Sequence, residues 1–351
     1  MRKVEIQLDG SHGEGGGQLL RTSLSLSAIL QKPFRIVNIR ANRSKPGLQA
    51  QHLTSVNACA ELCRAKVEGN LLHSTELSFS PGKIKQGYFS FNVGTAGSTI
   101  LVLQTLLPVA LFSQGECNIS VEGGTETPFA PTSFYFSKVF LPTVQKMGVK
   151  ASFEAERYGW YPKGGGKVVA KVQPSTNEKL SGVKIEERGK LQELTGFSLS
   201  SNLPPHVRER MKSRCLKQLS ENSLTSKVNS HNLPSIATGA EFFTLAEFEN
   251  SLAGFTALGE LKKPAEKVAG ESLHALLEFL KSGAGVDEHL ADQLLLYCAL
   301  AKGESFFSAG KISSHLQTNA TVIQKFLPGC KISLEGNLGE FGGVSVKGAG
   351  V

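Results

Sequence analysis

Three similar helix starts recur along this 351-residue chain at spacings that point to a repeated fold. The first is Gly13-Glu14-Gly15-Gly16-Gly17-Gln18-Leu19-Leu20-Arg21. Before it, Val4, Ile6 and Leu8 alternate with polar residues as in a short strand; after it, Leu19, Leu20, Leu24, Leu26 and Ile29 recur at helical spacing. The glycines therefore turn a strand into a helix, where backbone N–H groups can approach an anion closely. The second start is Gly94-Thr95-Ala96-Gly97-Ser98, opening an apolar helix from Thr99 to Phe112 with Gln104 inside it and a kink expected at Pro108. The third is Asp292-Gln293-Leu294-Leu295, opening a helix to Ala301 and repeating the Gln-Leu-Leu of residues 18–20. A further helix is expected after each: Leu48 to Cys63, Thr132 to Met147, and Thr318 to Leu327.

Gly17 and Gly97 are 80 residues apart and the first two of the later helices start about 83 apart, whereas Gly97 to Asp292 is 195 and Thr132 to Thr318 is 186. The unit is thus about 80 residues long, and the third copy carries an excess of roughly 105, the size of a small domain. The expected class is α/β (α+β): a large domain of three repeated βαβαββ-type units, over 1–184 and 284–351, with a small α/β insert over 185–283. The polar stretch Pro174 to Gly189 and Gly283-Ala284-Gly285 bound that insert. Within it Val207 to Leu219 and Pro264 to Leu280 read as amphipathic helices, with strands around Leu194–Leu199, Phe242–Phe248 and Gly254–Ala257. Val168 to Val172 and Lys331 to Leu334 read as closing strands of the large domain.

A net charge of +8 favours an anionic partner, and the cations are scattered, so any anion site must be assembled by folding. The six cysteines form no C-x-x-C pair and have no neighbouring histidine at zinc-ligand spacing, so packed thiols in a reducing, intracellular compartment are expected. Cys59 and Cys63 sit one helical turn apart. No apolar run is long enough to span a bilayer, and no targeting segment is evident.

Several loops carry chemical handles. Arg40, Arg43 and Lys45 crowd the start of a helix, where cations are unfavourable unless an anion joins them; a bound phosphate or a solvated basic turn are the two readings. Gln51 and His52 follow within a turn, His52 as ligand contact or packed imidazole. Gly123-Gly124-Thr125-Glu126-Thr127-Pro128-Phe129-Ala130-Pro131 suits a wall of a base pocket or a plain loop. Gly159 to Gly166 reads as a tight hairpin, with Trp160 stacking on nucleic acid as the alternative. His315 falls between a strand end and a helix N-terminus, whose dipole disfavours imidazolium; it is expected to stay a neutral nucleophile or ligand. Asp292 heads its helix either as a capping carboxylate or, with Glu14, as part of a site for a divalent metal and nucleotide phosphates.

Together these stretches resemble the RNA 3′-terminal phosphate cyclase family from Ile6 to about Leu327. The resemblance rests on Glu14 to Arg21, Arg40-Ala-Asn-Arg43, Gln51-His52, Ala96-Gly97-Ser98, Gly123-Gly-Thr125, Ala130-Pro131, Tyr161-Pro162-Lys-Gly-Gly-Gly166, Ala291-Asp292-Gln293 and His315-Leu-Gln-Thr318-Asn319. It implies a fold of three repeats like the C-terminal domain of a translation initiation factor, with an insert. It also implies ATP-dependent conversion of an RNA 3′-phosphate to a 2′,3′-cyclic phosphodiester through a histidine-AMP intermediate on His315. By the same resemblance Glu14 is the metal carboxylate, for Mg2+ or Mn2+, while Arg21 and Arg43 hold phosphates. Arg40, Gln51 and His52 surround the RNA end, Gln104 and Pro131 line the adenosine pocket, and Asp292 and Gln293 position His315 and the phosphates. Asn42 stands where members usually have Gly, a place for a left-handed turn, and His289 stands where an aromatic often covers the adenine. Thr238-Gly239-Ala240 lacks the Gly-Asn or Gly-Thr often found there. The implied setting is RNA and ATP as partners, no membrane, a homodimer, and the cytoplasm, or the nucleus in a eukaryote. Two other readings stand beside the cyclase: a non-catalytic relative assisting ribosomal RNA maturation, and an enolpyruvyl transferase on a similar repeated fold.

Overall fold

A computed structural model describes residues 5–175 and 179–351, so Val4 and part of the polar stretch before the insert lie outside the described residues. In the first unit β1 (Ile6–Asp9) leads through α1 (Gln18–Leu30) to β2 (Phe34–Val37), then through α2 (Ala50–Cys63) to β3 (Lys66–Glu68) and β4 (Leu77–Ser80). The sheet order is β1-β2-β4-β3, with the first pair parallel and the other two antiparallel.

The second unit repeats this with β5 (Gly87–Asn92), α3 (Thr99–Ala110), β6 (Cys117–Gly123), a helix over 133–146, β7 (Ala151–Arg157) and β8 (Gly166–Val172). Its order is β5-β6-β8-β7, again one parallel and two antiparallel pairs. The helix is not uniform: α4 (Ser133–Tyr135) passes into a π-helical stretch (Phe136–Phe140) before α5 (Leu141–Lys146). Pro108 lies inside α3.

The third unit opens with β9 (Lys184–Ile185) and is then interrupted by β10 (Leu191–Ser201), α6 (Pro205–Glu221), β11 (Lys227–Asn232), β12 (Gly239–Phe248), β13 (Leu252–Leu258) and α7 (Ala265–Ser282). It resumes with α8 (Glu288–Leu300), β14 (Glu304–Ala309), α9 (Ser314–Phe326), β15 (Lys331–Glu335) and β16 (Gly342–Lys347). Its order β15-β16-β14-β9 keeps the same pairing, so the three units share one topology, with the extra residues between the first strand and first helix of the last.

The first helix of each unit is buried along most of its length, and α3 is apolar nearly all round, as a helix enclosed on every side must be. Every residue of α3 except Gln104 is buried, and α1 and α8 contribute Leu20, Leu24, Leu26, Leu294 and Leu295 to the same core. The extra segment builds a separate sheet, β11-β10-β12-β13, whose apolar face packs on α6 and α7 through Met211, Cys215, Phe242, Leu273 and Leu276. β11 escapes the strand pattern because only Val228 is even partly covered, leaving no alternation to read. All six cysteines are buried and unbridged. Among the described residues no helix is long and apolar enough to cross a membrane.

Candidate active site

The glycine turn before α1 docks on the start of α9, which joins the first unit to the third. The Glu14 backbone N–H donates to Thr318 Oγ1 at 3.3 Å, and the Glu14 side chain is only 6% exposed. Its Oε2 accepts from Arg43 Nη2 and lies 3.2 Å from His315 Nε2. Gly16 makes room for this group, since a Cβ there would strike Glu14 Oε1 and crowd Arg43 Nη2. A Cβ on Gly17 would likewise meet His52 Nε2 and Arg21 Nη1.

His315 occupies the first turn of α9, N-capped by Ser313, rather than the loop before it. The helix dipole is not the only influence on this ring. The hydrogen bond to Glu14 raises the His315 pKa above the ordinary histidine value; burial opposes it, and the charges of Glu14 and Asp292 add to it. For Glu14, burial pushes upward, but the His315 hydrogen bond and the charges of His315, Arg43 and Arg21 prevail, so its carboxyl stays below its usual range.

Asp292 does not head its helix. Asp287 is the N-cap of α8, its carboxylate accepting from the His289 and Leu290 N–H groups, and Asp292 lies in the second turn. There it accepts from Asn319 Nδ2 at 3.1 Å, and Asn319 Oδ1 in turn accepts from Thr22 Oγ1 at 2.7 Å, tying α8, α9 and α1 together. Burial raises the Asp292 pKa against the opposing charges of His315 and Arg21. Arg21 is pushed down by burial to about 10 despite Asp292 and Glu14, which leaves it cationic at neutral pH. Gln18 Oε1 accepts from Arg21 Nη2 at 2.6 Å, and Gln104 Nε2 donates to Gln293 Oε1 at 2.7 Å, joining α3 to α8.

The basic loop resolves its own conflict in part. Arg43 pairs with Glu14, and Arg40, itself at a positive φ of 55°, donates to the carbonyls of Lys45 and Gly47. Asn42 is not in the left-handed region expected of it; its Nδ2 donates to the Ser11 carbonyl instead. His52 is buried, and burial with the nearby charges of Arg21 and Arg40 lowers its pKa to about 3, so it is neutral. Gln51 accepts the Ser98 N–H at the start of α3.

A cleft of about 1960 Å³ is lined by residues of the three-unit body and of the extra sheet and helices. Arg21, Gln104, Pro131, His289, Asp292, Gln293 and His315 all face it. Glu14 and Arg43 reach the cleft through His315, whereas Arg40, Gln51 and His52 stand behind Arg21 and Arg43. His289 is 70% exposed and meets the Tyr135 ring edge-on at 6.4 Å. Trp160 is not an open stacking surface: it is 3% exposed and its Nε1 donates to Ser201 Oγ at 2.9 Å.

Two groups escaped the sequence reading. Tyr135 donates its hydroxyl to Asp287 at 2.8 Å, and two carboxyls, Glu126 and Glu241, are buried together where the loop after β6 meets β12. Burial raises both, and Glu126 raises Glu241 further. Nothing local marks such a pair, because its members are 115 residues apart.

A divalent metal fits the Glu14 corner on one observation. Glu14 Oε1 is buried without a hydrogen-bond partner, a hard oxygen free to ligate. Among the described residues no cluster of three or more His, Cys, Asp or Glu could cage an ion, so such a metal would take its other ligands from substrate oxygens and water.

Three repeated βαβαββ units with a His–Glu–Arg cluster at a cleft define a class of repeat-built α/β proteins. The sequence profile of the RNA 3′-terminal phosphate cyclase family matches residues 12–333, and the chain belongs to that family. It is 46% identical over 329 residues to the "RNA 3′-terminal phosphate cyclase" of Nostoc punctiforme, covering 92% of this chain and 94% of that one. It is 43% identical over 354 residues to the protein of the same name from Hyperthermus butylicus, covering 98% of each. A solved enolpyruvyl transferase, NikO from Streptomyces tendae, matches at 11% identity and a TM-score of 0.38 over 99% of this chain and 49% of that one; so distant a likeness bears on neither fold nor function.

Proposed function

We propose that this chain converts RNA 3′-phosphate ends to 2′,3′-cyclic phosphodiesters at the expense of ATP, with His315 as the nucleophile. Family membership supports the overall reaction, and the observation that carries the residue assignment is the His315 imidazole held at the cleft by Glu14. In the first step His315 reacts as the neutral imidazole with its proton on Nδ1: Nε2 attacks the α-phosphorus of ATP and pyrophosphate leaves. The adenylyl group then passes to an oxygen of the RNA 3′-phosphate, regenerating the imidazole. Finally the neighbouring 2′-hydroxyl attacks that phosphorus, losing its proton, and AMP departs. A phosphate monoester is a poor electrophile until one oxygen becomes a good leaving group; proximity of the 2′-hydroxyl then suffices.

Arg21 and Arg43 are suited to holding the phosphates and balancing charge as the α-phosphate is transferred, with Arg40 and His52 behind them. Gln51 shapes this corner through its contact with Ser98. Gln104, Pro131, His289 and Gln293 offer walls for the adenosine, and Asp292 sets the field at Arg21 and His315. Mg2+ or Mn2+ on Glu14 would offset the charge of the triphosphate. A cytoplasmic enzyme acting as a homodimer remains part of this reading. The non-catalytic alternative is less favoured, because the His315–Glu14–Arg43 cluster is complete.

The test is direct. Incubated with ATP and a divalent metal, a 3′-phosphorylated oligoribonucleotide should become resistant to phosphatase, and a 3′-hydroxyl one should be unchanged. A phosphate that stays phosphatase-sensitive contradicts the proposal.

A further inference from the structure

Phe129 is fully exposed yet held in a left-handed conformation, φ 61°, which a bulky aromatic adopts only when its surroundings force it. Its loop is rigid. The Thr125 and Glu126 N–H groups both donate to the Gly159 carbonyl, at 2.9 and 3.1 Å, and the Gly159 N–H returns a bond to Thr125 Oγ1. Pro128 precedes Phe129 and Pro131 follows two residues later, which restricts the backbone on both sides of it. The partner loop, between β7 and β8, presents Tyr161 at 64% exposure. It is fixed by the buried Trp160, by the Gly164 N–H donating to the Trp160 carbonyl, and by Lys163 Nζ donating to the Ile236 carbonyl at 2.9 Å. Thus two open aromatic rings stand on two loops pinned to each other, and both line the cleft that contains His315 and Arg21.

A fixed loop that strains its backbone to expose a phenylalanine is arranged for contact with something apolar and flat. The cleft mixes cations and carboxylates, with Lys262 and Arg21 among its cations, and the chain as a whole is cationic, so an occupant that is flat-faced and carries phosphates suits it. We propose that Phe129 and Tyr161 form a base-stacking platform for unpaired nucleotides just upstream of the RNA 3′ end. The inference rests on the RNA-cyclase reading and deepens it. Stacking is indifferent to base identity because every base has a π-face, so the platform selects for a single-stranded end without selecting its sequence. Phosphates between the stacked bases would draw on the cations of the cleft, and the terminal phosphate would be delivered to His315.

The experiment compares a 3′-phosphorylated decanucleotide with a dinucleotide too short to reach both the terminal site and the platform. In the wild type the longer RNA should have the lower KM, and replacing its upstream bases with abasic units should raise KM by roughly ten-fold, the scale of one stacked base. Phe129→Ala and Tyr161→Ala should each remove that advantage with kcat little altered, and Phe129→Trp and Tyr161→Phe should retain it. Transfer of label from ATP to the protein without RNA should persist in the alanine variants. An unchanged length dependence in the double variant overturns the platform. So does a raised KM for ATP, which would assign the rings to the nucleotide, or a change in self-association, which would assign them to a second copy of the chain. Failure of the wild type to cyclise either RNA overturns the cyclase reading itself, and anisotropy with the decanucleotide and its abasic version still decides whether the rings bind bases.

Discussion

His315 Nε2 lies 3.2 Å from Glu14 Oε2, so the imidazole of the third repeat is held by the carboxylate of the first. The same oxygen accepts from Arg43, and the other oxygen of Glu14 is buried and unpartnered. One carboxylate therefore holds His315 and Arg43, the nucleophile and a phosphate-handling arginine of the proposed mechanism, and keeps a hard oxygen in reserve. Glu14→Ala should reduce protein adenylylation on the order of a hundred-fold, the usual effect of removing one preorganised charge-stabilising group. Near-normal labelling of the variant from α-labelled ATP would remove Glu14 from the site.

Arg43→Ala should weaken phosphate handling by about 1–3 kcal/mol, the scale of a charge-assisted hydrogen bond. Arg43→Lys should recover only part of this, since an ammonium lacks the planar fork that grips two oxygens. The measurement is kcat/KM for cyclisation; equal values for wild type and Arg43→Ala would exclude the residue.

Gly16→Ala adds a methyl group that must displace Glu14 Oε1 or Arg43 Nη2. Gly16 is buried, but the methyl meets the ends of two side chains rather than backbone, so thermal stability should change little while adenylylation falls steeply. A variant that labels normally would show that the Glu14 position is not critical.

The Glu126–Glu241 pair gives stability a pH dependence of fixed sign. Both folded-state pKa values are raised above the ordinary 4.5, so above about that pH the folded chain holds a proton that the unfolded chain has lost. Unfolding then releases it, and stability falls as pH rises, by up to about 1.4 kcal/mol per pH unit per proton. Besides each other, the pair meets the hydroxyls of Thr125, Thr132 and Ser133, and the ionisable Tyr158 is close by. Glu241→Gln removes the repulsion while keeping the shape, so its melting temperature should decline less between pH 6 and 8 than that of the wild type, taking those pH values as roughly the lower and upper working limits. Identical slopes would show that the pair does not share a proton.

The repeat was legible because its signal is local and recurs: glycine turns, Gln-Leu-Leu at residues 18–20 and 293–295, and apolar helices at fixed spacing. Strand order was not legible, because pairing joins segments far apart in the chain. Asp292 misled because a carboxylate before a leucine run looks like a cap, whereas the cap, Asp287, sits five residues earlier. His315 was legible only in part: the helix dipole is a local effect, whereas Glu14, which raises the pKa of the ring, is distant in sequence. The buried carboxyl pair, the polar edge strand β11 and the exposed Phe129 are likewise set by partners distant in the chain.

The central claim is that His315 carries the adenylyl group. Incubation with α-labelled ATP and a divalent metal, followed by denaturation, should leave an acid-labile, alkali-stable label on the wild type that maps to His315. Labelling should vanish in His315→Ala. A wild type that takes up no label, or a His315→Ala variant that labels as well, would contradict the account.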